Sequence, residues 1–473
     1  MIKVAKYIAE FLVQNGIKDC FMVTGGGAMH LDDAIGHQQG MHCTFNHHEQ
    51  ACAIAAEGYT RMSGNIAAVC VTSGPGGTNA ITGVMGGWVD SIPMFVLTGQ
   101  VKRETTIWSC QELGLRQLGD QEFDIIHSVG NMTKYCAMVT DPLTIAYHLE
   151  KALYLAKKGR GGTVWLDIPL DVQGAQIDTE KLSHFEPQTE DPWEIPEVTQ
   201  ETIDAVIGRI RQAKAPLILA GTGIRLGRAH ELFLQLVEKL QIPVVTAWNA
   251  NDVIAYDSPF FAGMPGTVRT RPGNFAIQNC DLLISLGCRM NIRMIGYNHY
   301  DFARNAYKIV VDIDPKELVK PTVHPDMPIN ADVKDFLAKM CTSSYEVANQ
   351  HARWLSWCRQ LVEKYPAVLP EYHHKKGLIN PYVLIERLIG QLKDDDRIIT
   401  GNGAACVITF QACKIKQGQR QFTNSGCAAM GYGFPAALGV AVSDNTKRTV
   451  CIDGDGSFMM NLQELATVAW NKL

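Results

Sequence analysis

The feature that most constrains this chain is a short apolar run that keeps recurring and keeps stopping at glycine, serine or proline. Over the first 170 residues it appears as CFMVTGGG, IAAVCVTSG, PMFVLTGQ and TVWLDIPL, with helical patterns between the runs. Runs that are apolar on both faces and alternate with helical segments describe parallel strands covered by helices on both sides. The rhythm lapses over 171–198, where Pro187, Pro192 and Pro196 stand among acidic residues and read as a linker. It resumes as PLILAGTG, IPVVTAW, DLLISLG and KIVVDIDP up to about residue 340, and a mixed polar helical connection follows over 341–376. A third set, RIITGNGA, QFTNSG and TVCIDGDG, occupies 377–473. The expected fold is α/β, with three successive parallel-sheet modules at 1–170, 199–340 and 377–473.

Composition excludes several classes of function. With 46% apolar and 19% charged residues in 473, the chain can bury several cores and is neither disordered nor collagen-like. Forty-three basic against 48 acidic residues give a net charge of −5, without the basic excess that favours nucleic acid or an anionic membrane surface. A small-molecule partner is expected instead. The start places Val4, Ile8, Phe11 and Leu12 at helical spacing among Lys3, Lys6 and Glu10, unlike a signal peptide. No run reaches the 18 apolar residues of a membrane span. The 14 cysteines are scattered, never as C-x-x-C, so neither a zinc site nor a disulfide framework is expected, and a reducing, cytoplasmic setting is.

In open parallel sheets ligands bind beyond the carboxyl ends of the strands, where the glycine-rich turns lie. GTGIRLG (Gly221, Gly223, Gly227) is one residue out of register with a dinucleotide fingerprint and reads as a tight packing turn. SGPGGTN either aims amides at an anion or makes a rigid turn. In GDGS, Asp455 leaves a strand between Gly454 and Gly456; it could hold Mg²⁺, which keeps few protein ligands, or N-cap the next helix. Glu49 stands three residues after Asn46, a capping-box spacing, so it is either a functional carboxylate or a cap. The final helix, NLQELATVAW, puts Leu462, Leu465, Ala466, Ala469 and Trp470 on one face, a stripe expected to lie on a sheet.

Four blocks in order, HHEQACAIAAEGYTR, TSGPGGTNAITGV with DSIPMFVLTGQV, GCAAMGYGFPAALG and GDGSFMMNLQELATV, resemble the thiamine-diphosphate (ThDP) enzymes of the acetolactate synthase and pyruvate-decarboxylating group. The resemblance spans the whole chain. It implies a pyrimidine-binding domain, a central Rossmann-like domain and a diphosphate-binding domain. It also implies an active site between the first domain of one subunit and the third of another, hence a homodimer or homotetramer. The implied reaction decarboxylates a 2-keto acid, pyruvate foremost, and joins the two-carbon unit to an acceptor carbonyl.

By resemblance, Glu49 is the carboxylate that stabilises the imino form of the cofactor's aminopyrimidine, and the protein supplies orientation and electrostatics to the cofactor's own chemistry. Asp455 would hold Mg²⁺ against the diphosphate, with Gly454, Gly456 and Ser457 around it. Met430 would support the bent cofactor, and Gly403 with Ala404 would lie along the diphosphate loop. Gln111 of CQEL resembles an active-site glutamine, and Gly27 with Ala28 the opposite wall. Three central segments resemble flavin contacts: GMPGT at 263–267 with Gly266, GCRMNIR at 287–293 with Arg289, and VDIDP at 311–315 with Asp312. They make FAD a further candidate cofactor.

There are departures. Cys110 replaces a phenylalanine before the glutamine, Gly25-Gly26-Gly27-Ala28 replaces Pro-Gly-Gly-Ala, and Gly403-Ala404-Ala405 replaces Gly-Gln-His. An altered acceptor pocket, open to a keto-sugar, is therefore the alternative reading. The family motif also closes with an Asn-Asn pair well beyond GDG, whose asparagine joins the metal shell. Only 17 residues follow Gly456, so the third domain is expected to be incomplete here. Either the chain is a piece of a longer enzyme, or it has a split or non-catalytic role.

Overall fold

Each apolar run becomes a strand in the computed structural model, which describes every residue except 375. In sequence order the strands are β1 (Ile2–Lys3), β2 (Asp19–Met22), β3 (His42–Phe45), β4 (Ala68–Val71), β5 (Phe95–Gln100), β6 (Tyr135–Met138), β7 (Val164–Pro169) and β8 (Gln176–Ile177). They continue with β9 (Pro216–Ala220), β10 (Val244–Thr246), β11 (Leu282–Leu286), β12 (Tyr307–Asp312), β13 (Met327–Asn330), β14 (Arg397–Thr400), β15 (Arg420–Phe422) and β16 (Thr449–Ile452). Two units contain them: Met1–Trp193 with Gly426–Leu473, and Glu194–Ser425.

The first unit holds a six-stranded parallel sheet in the order β3-β2-β4-β5-β7-β6. Strand alternation sends Cys20, Met22, Ala68, Cys70, Phe95 and Leu97 to one face, where Val4, Ile8 and Leu12 of the first helix cover them. It sends Phe21, Val69, Val71, Val96 and Trp165 to the other. Both faces are dry, which is why the central strands read as unbroken apolar runs. The short antiparallel pair β1–β8 ties the amino terminus to Gln176 and Ile177, so part of the stretch 171–198 is ordered within this unit.

The second face is covered by a helical sandwich. The helix Glu49–Ser63 runs between Pro75–Asp90 and Gly433–Ser443, and its residues 51 to 60 are all buried. Small residues make this possible. A Cβ on Gly83 would lie 2.6 Å from the Cβ of Ala53, and one on Gly58 would lie 2.4 Å from the carbonyl oxygen of Ala436. One on Gly439 would lie 1.9 Å from the oxygen of Ala55. The crossing also buries charge. Tyr432 donates to Glu57 at 2.7 Å, Arg61 donates to Glu57, and Arg61 donates to Asp90 at 2.8 Å, so each ionised group has a partner.

The carboxyl-terminal helix departs from the sequence expectation. It spans Glu464–Asn471 and buries Glu464 and Thr467, while Leu465 is 47% and Trp470 86% exposed. The apolar stripe does not lie on a sheet. The polar face is inside because the Glu464 carboxylate accepts hydrogen bonds from Asn46 Nδ2 at 2.8 Å, from the His47 amide at 2.9 Å and from Thr467 Oγ1 at 2.7 Å. A buried carboxylate is tolerated when its lone pairs are filled in this way.

The second unit is built on a parallel sheet in the order β10-β9-β11-β12-β13, with β14 and β15 pairing in parallel elsewhere in the unit. The GTG turn after β9 is a packing turn. A Cβ on Gly221 would lie 2.1 Å from the Gly287 oxygen, and one on Gly223 2.7 Å from Gly287 Cα, so the loops after β9 and β11 touch backbone to backbone. The stretch 341–376 supplies the helix Ala352–Lys364, which buries Cys358 and Val362 against this core. Trp354 Nε1 donates to the Pro216 carbonyl at 2.9 Å.

Candidate active site

At the carboxyl ends of β2, β4 and β5 three turns meet. Gly27 donates its amide to Thr72 Oγ1 at 3.0 Å, and Gly25 donates to Asp32 Oδ2 at 3.0 Å. A Cβ on Gly25 would lie 2.5 Å from the Cβ of Thr72, and one on Gly27 would lie 2.6 Å from Ser73 Oγ. A Cβ on Gly99 of β5 would lie 2.1 Å from the Gly27 oxygen. A Cβ on Gly25 or Gly27 would therefore meet Thr72 or Ser73, whereas Gly26 has open space where a Cβ would stand. Gly74, at φ +56°, is the N-cap of the helix Pro75–Asp90 and supplies the positive-φ backbone that its start requires.

Glu49 is not part of a capping box. The helix Glu49–Ser63 is capped by His48, whose Nδ1 accepts from the Gln50 amide at 3.0 Å, while the Asn46 side chain turns away to Glu464. Glu49 is thereby left with a carboxylate that accepts only from Asn79 Nδ2 at 3.0 Å among the described hydrogen bonds. Asn79 belongs to SGPGGTN, so the structure brings Glu49 and that motif together.

The GDGS turn lies in the same unit. Asp455 is the first residue of the helix Asp455–Met459; Gly454, not Asp455, is the N-cap. The Asp455 carboxylate is exposed and accepts from the Gly456 amide at 2.8 Å. Beside it, Asp453 has a buried Oδ2 without a hydrogen-bond partner among the described residues, and burial raises its carboxyl above the ordinary range. Met430 bears on the turn, since a Cβ on Gly456 would lie 3.3 Å from its Cε. Gly431, at φ +83°, donates to Ser457 Oγ at 2.9 Å, and its carbonyl accepts from Asn461 Nδ2 at 2.7 Å. Asn461 Nδ2 also donates to Gln50 Oε1 at 3.0 Å, next to Glu49 in the chain.

Among the described residues no three His, Cys, Asp or Glu side chains cluster as a metal site. A single exposed carboxylate at a glycine-flanked helix start still suits Mg²⁺ bound mainly through phosphate oxygens, and the orphaned Asp453 oxygen leaves a polar partner for its water. The residues present thus fit a diphosphate with its metal. Gly403, at φ +64°, begins the helix Gly403–Ala412 in the second unit, with open space where a Cβ would stand, and Ala404 follows it.

The flavin-like residues give less. The Gly266 amide is taken by Asn274 Oδ1 at 2.9 Å, the Asp312 carboxylate by the Asp314 amide at 3.0 Å, and the Arg289 carbonyl by Lys320 Nζ. These contacts tie the three segments into the fold of the second unit.

Gln111 lies exposed in the turn Ile107–Leu113 and makes no described side-chain hydrogen bond, with Cys110 kinked beside it. Gln121 is placed differently. It is one of few non-glycine residues at positive φ, +60°, and a Cβ on Gly74 would lie 2.4 Å from its oxygen, so it abuts the SGPGG turn. Its neighbour Glu122, 6% exposed, holds the loop by accepting from the amides of Leu118 at 2.8 Å, Gly119 at 3.0 Å and Ile107. Strained φ outside glycine marks positions that the surroundings over-determine. The available signal was that Gln-Glu occurs twice between β5 and β6, at 111–112 and 121–122.

Comparison with known proteins identifies the family. The N-terminal TPP binding domain of thiamine pyrophosphate enzymes matches residues 2–126, the central domain 203–340, and the C-terminal TPP binding domain 401–473. The acetolactate synthase large subunit of Cyanidium caldarium is 32% identical over 98% of the chain and 79% of its own length. The probable acetolactate synthase large subunit of Methanococcus aeolicus is 33% identical, covering 98% and 78%. Acetolactate synthase isozyme 1 large subunit of Escherichia coli K12 is 32% identical, covering 99% and 80%. With its three sheet modules matched in order and the Glu49, Met430 and GDGS elements gathered in one unit, the chain belongs to the thiamine pyrophosphate enzyme family and is a ThDP-dependent enzyme of the acetolactate synthase-like group.

Proposed function

We propose that the chain, with ThDP and Mg²⁺, decarboxylates pyruvate and transfers the two-carbon unit to an acceptor carbonyl, a second pyruvate in the acetolactate reaction. The observation that carries this reading is the placement of the Glu49 carboxylate, held by a single neutral donor at a helix start one residue from the Gln50–Asn461–Gly431 contact. When bound, the cofactor supplies an acidic carbon and an electron sink for decarboxylation. Glu49 would hold a proton on its carboxylate against the aminopyrimidine ring, with Asn79 orienting that carboxylate. Met430 would support the cofactor from beneath, and Asp455 with Gly454, Gly456 and Ser457 would bind its metal and diphosphate.

Gly27 and Ala28 would form one wall of the substrate site, and Gln121, in place of Gln111, would face them across the SGPGG turn. FAD has no role in these steps. The enzyme would act as a homodimer or homotetramer in the cytoplasm; among the described residues no helix is long and apolar enough to cross a membrane.

The test is Glu49→Gln. It should leave ThDP affinity within about threefold and lower turnover on the order of 10²- to 10⁴-fold, the usual range for a positioned acid or base. Unchanged turnover would refute the assignment. Asp455→Asn should abolish Mg²⁺-dependent ThDP binding by calorimetry, and an unchanged dissociation constant would remove Asp455 from the metal.

A further inference from the structure

Two buried glutamines of the first unit each donate twice from one amide nitrogen, and they do so alike. Gln100, the last residue of β5, donates from Nε2 to Asp167 Oδ2 at 3.0 Å and to the Phe123 carbonyl at 3.0 Å. Gln173, in the helix Leu170–Gly174 that follows β7, donates from Nε2 to the Ile168 carbonyl at 2.7 Å and to the Gly27 carbonyl at 2.7 Å. In each case one bond is rooted in β7, and the other holds a turn beyond the carboxyl ends of the strands. Gly27 belongs to the Gly25–Ala28 turn, and Phe123 follows Gln121 by two residues. Neighbouring groups fix both amide orientations. The Val101 amide donates to Gln100 Oε1 at 3.0 Å, and turning the Gln173 amide over would set its oxygen against two carbonyls. Gln173 Oε1 has no hydrogen-bond partner among the described residues, so the two donor bonds alone offset the burial of this amide.

We propose that Gln100 and Gln173 are positioning residues that set the separation between Gly27–Ala28 and the Gln121 turn, and so govern which acceptor carbonyl fits between these two walls. This rests on the substrate walls assigned under the proposed function. No residue beyond 173 takes part, so the spacing is set within one subunit, whichever subunit supplies the third domain. The physical reason is that turns are the mobile part of a fold, whereas a strand inside a sheet is not. β7 lies between β5 and β6, in register with β5 from Phe95↔Val164 to Gln100↔Pro169, and Thr98 Oγ1 donates to Asp167 Oδ1 at 2.7 Å. Both walls are therefore referred to one rigid strand through neutral donors that carry no charge into the site. A displacement of about 1 Å can cost on the order of 100-fold in rate, and discrimination by one methylene is worth about 10- to 200-fold.

The experiment gives the holoenzyme, loaded with ThDP and Mg²⁺, pyruvate together with an equal concentration of 2-oxobutyrate as competing acceptor, and reads the ratio of the five-carbon to the six-carbon acetohydroxy acid by chromatography. A ratio formed in one tube does not depend on how much of the enzyme is folded, so a merely structural role does not move it. Gln100→Met and Gln173→Met, which keep a side chain of similar volume but donate nothing, should each shift the parent ratio by about threefold or more, a part of the range that one methylene allows. Trp165→Phe removes the 2.9 Å bond from Trp165 Nε1 to Thr98 Oγ1 in the same network without touching either wall, and should leave the ratio unchanged. A parent-like ratio in both methionine variants while Gln121→Ala shifts it, or an equal shift in Trp165→Phe, overturns the positioning role alone. A parent-like ratio in Gln121→Ala, or no carboligation product from the parent, overturns the substrate-site reading and the positioning role with it. Where a methionine variant does not fold, Gln100→Asn or Gln173→Asn decides in its place, since it keeps the amide on a side chain one methylene too short to reach both acceptors.

Discussion

Substituting Gly439 by alanine tests the helical sandwich on which the site depends. The added Cβ would stand 1.9 Å from the Ala55 oxygen, 2.6 Å from its carbonyl carbon and 2.9 Å from its Cα. All three are backbone atoms, so no side-chain rotation relieves the clash. Restoring an ordinary carbon-to-oxygen approach of roughly 3.3 Å requires the two helices to part by about 1.4 Å. Such a shift strains the Tyr432 to Glu57 hydrogen bond, now 2.7 Å, and opens the Gly58 to Ala436 contact. Overpacking usually costs about 1–3 kcal/mol, and the loss of a buried polar contact places this variant at roughly 3 kcal/mol or above. At about 2–4 °C per kcal/mol for a unit of this size, the thermal transition should fall by roughly 6–12 °C. Calorimetry of Gly439→Ala beside Gly208→Ala would check it. Gly208 sits in the helix Gln200–Gln212 with nothing within 4 Å of its Cβ position, so alanine there should stabilise by about 0.5–1 kcal/mol. A Gly439→Ala protein that melts with or above the parent would refute the packing account.

Other perturbations read other parts of the fold. Asp167 is 2% exposed between Thr98 Oγ1 at 2.7 Å and Gln100 Nε2 at 3.0 Å, and burial pushes its carboxyl up to about 7 despite these two donors. Because the folded value lies above the unfolded one, the folded chain keeps its proton longer, and this group's contribution to stability falls as pH rises from about 4 to about 7. Asp167→Asn should remove that slope, so the variant's stability relative to the parent in urea unfolding should improve by about 4 kcal/mol between pH 4 and pH 8. Equal differences at both pH values would count against a protonated Asp167. Arg269, 8% exposed, stacks its guanidinium 4.7 Å from the Trp248 ring and donates to the Phe410 carbonyl at 3.2 Å, yet Nε and Nη2 have no partner among the described residues. Burial pulls its guanidinium down to about 9, with only the Cys406 and Cys413 thiols acting against that. Arg269→Met should leave chemical stability unchanged or raise it by up to about 2 kcal/mol, and a loss above about 3 kcal/mol would show that the charge is needed.

The fold was legible where burial is two-sided. β2, β4, β5, β7, β9, β11 and β12 lie inside their sheets, and their residues must be apolar on both faces, which leaves a continuous run in the sequence. β3, β6 and β13 went unread because they are four-residue edge strands whose residues are mostly only partly buried, so they leave no continuous apolar run. The site was legible in part for a similar reason. Glycines at strand ends and a carboxylate between two of them leave a local mark, so GDGS, SGPGGTN and Glu49 stand out singly. Gln121 did not, because its neighbourhood to Gly74 joins residues 47 positions apart through a turn whose φ no composition announces.

The final helix separates the two levels most clearly. From its sequence alone, NLQELATVAW has an apolar side and a polar side, and the hydrophobic effect favours burying the first. The tertiary structure buries Asn461, Glu464 and Thr467 instead, because the unsatisfied donors of Asn46 and the His47 amide wait on the surface they meet. Local periodicity determined that a helix forms and which residue types lie on each side of it. Which side faces inward depended on partners about 418 residues away in the chain, since a buried hydrogen bond exists only when both of its ends have been brought together.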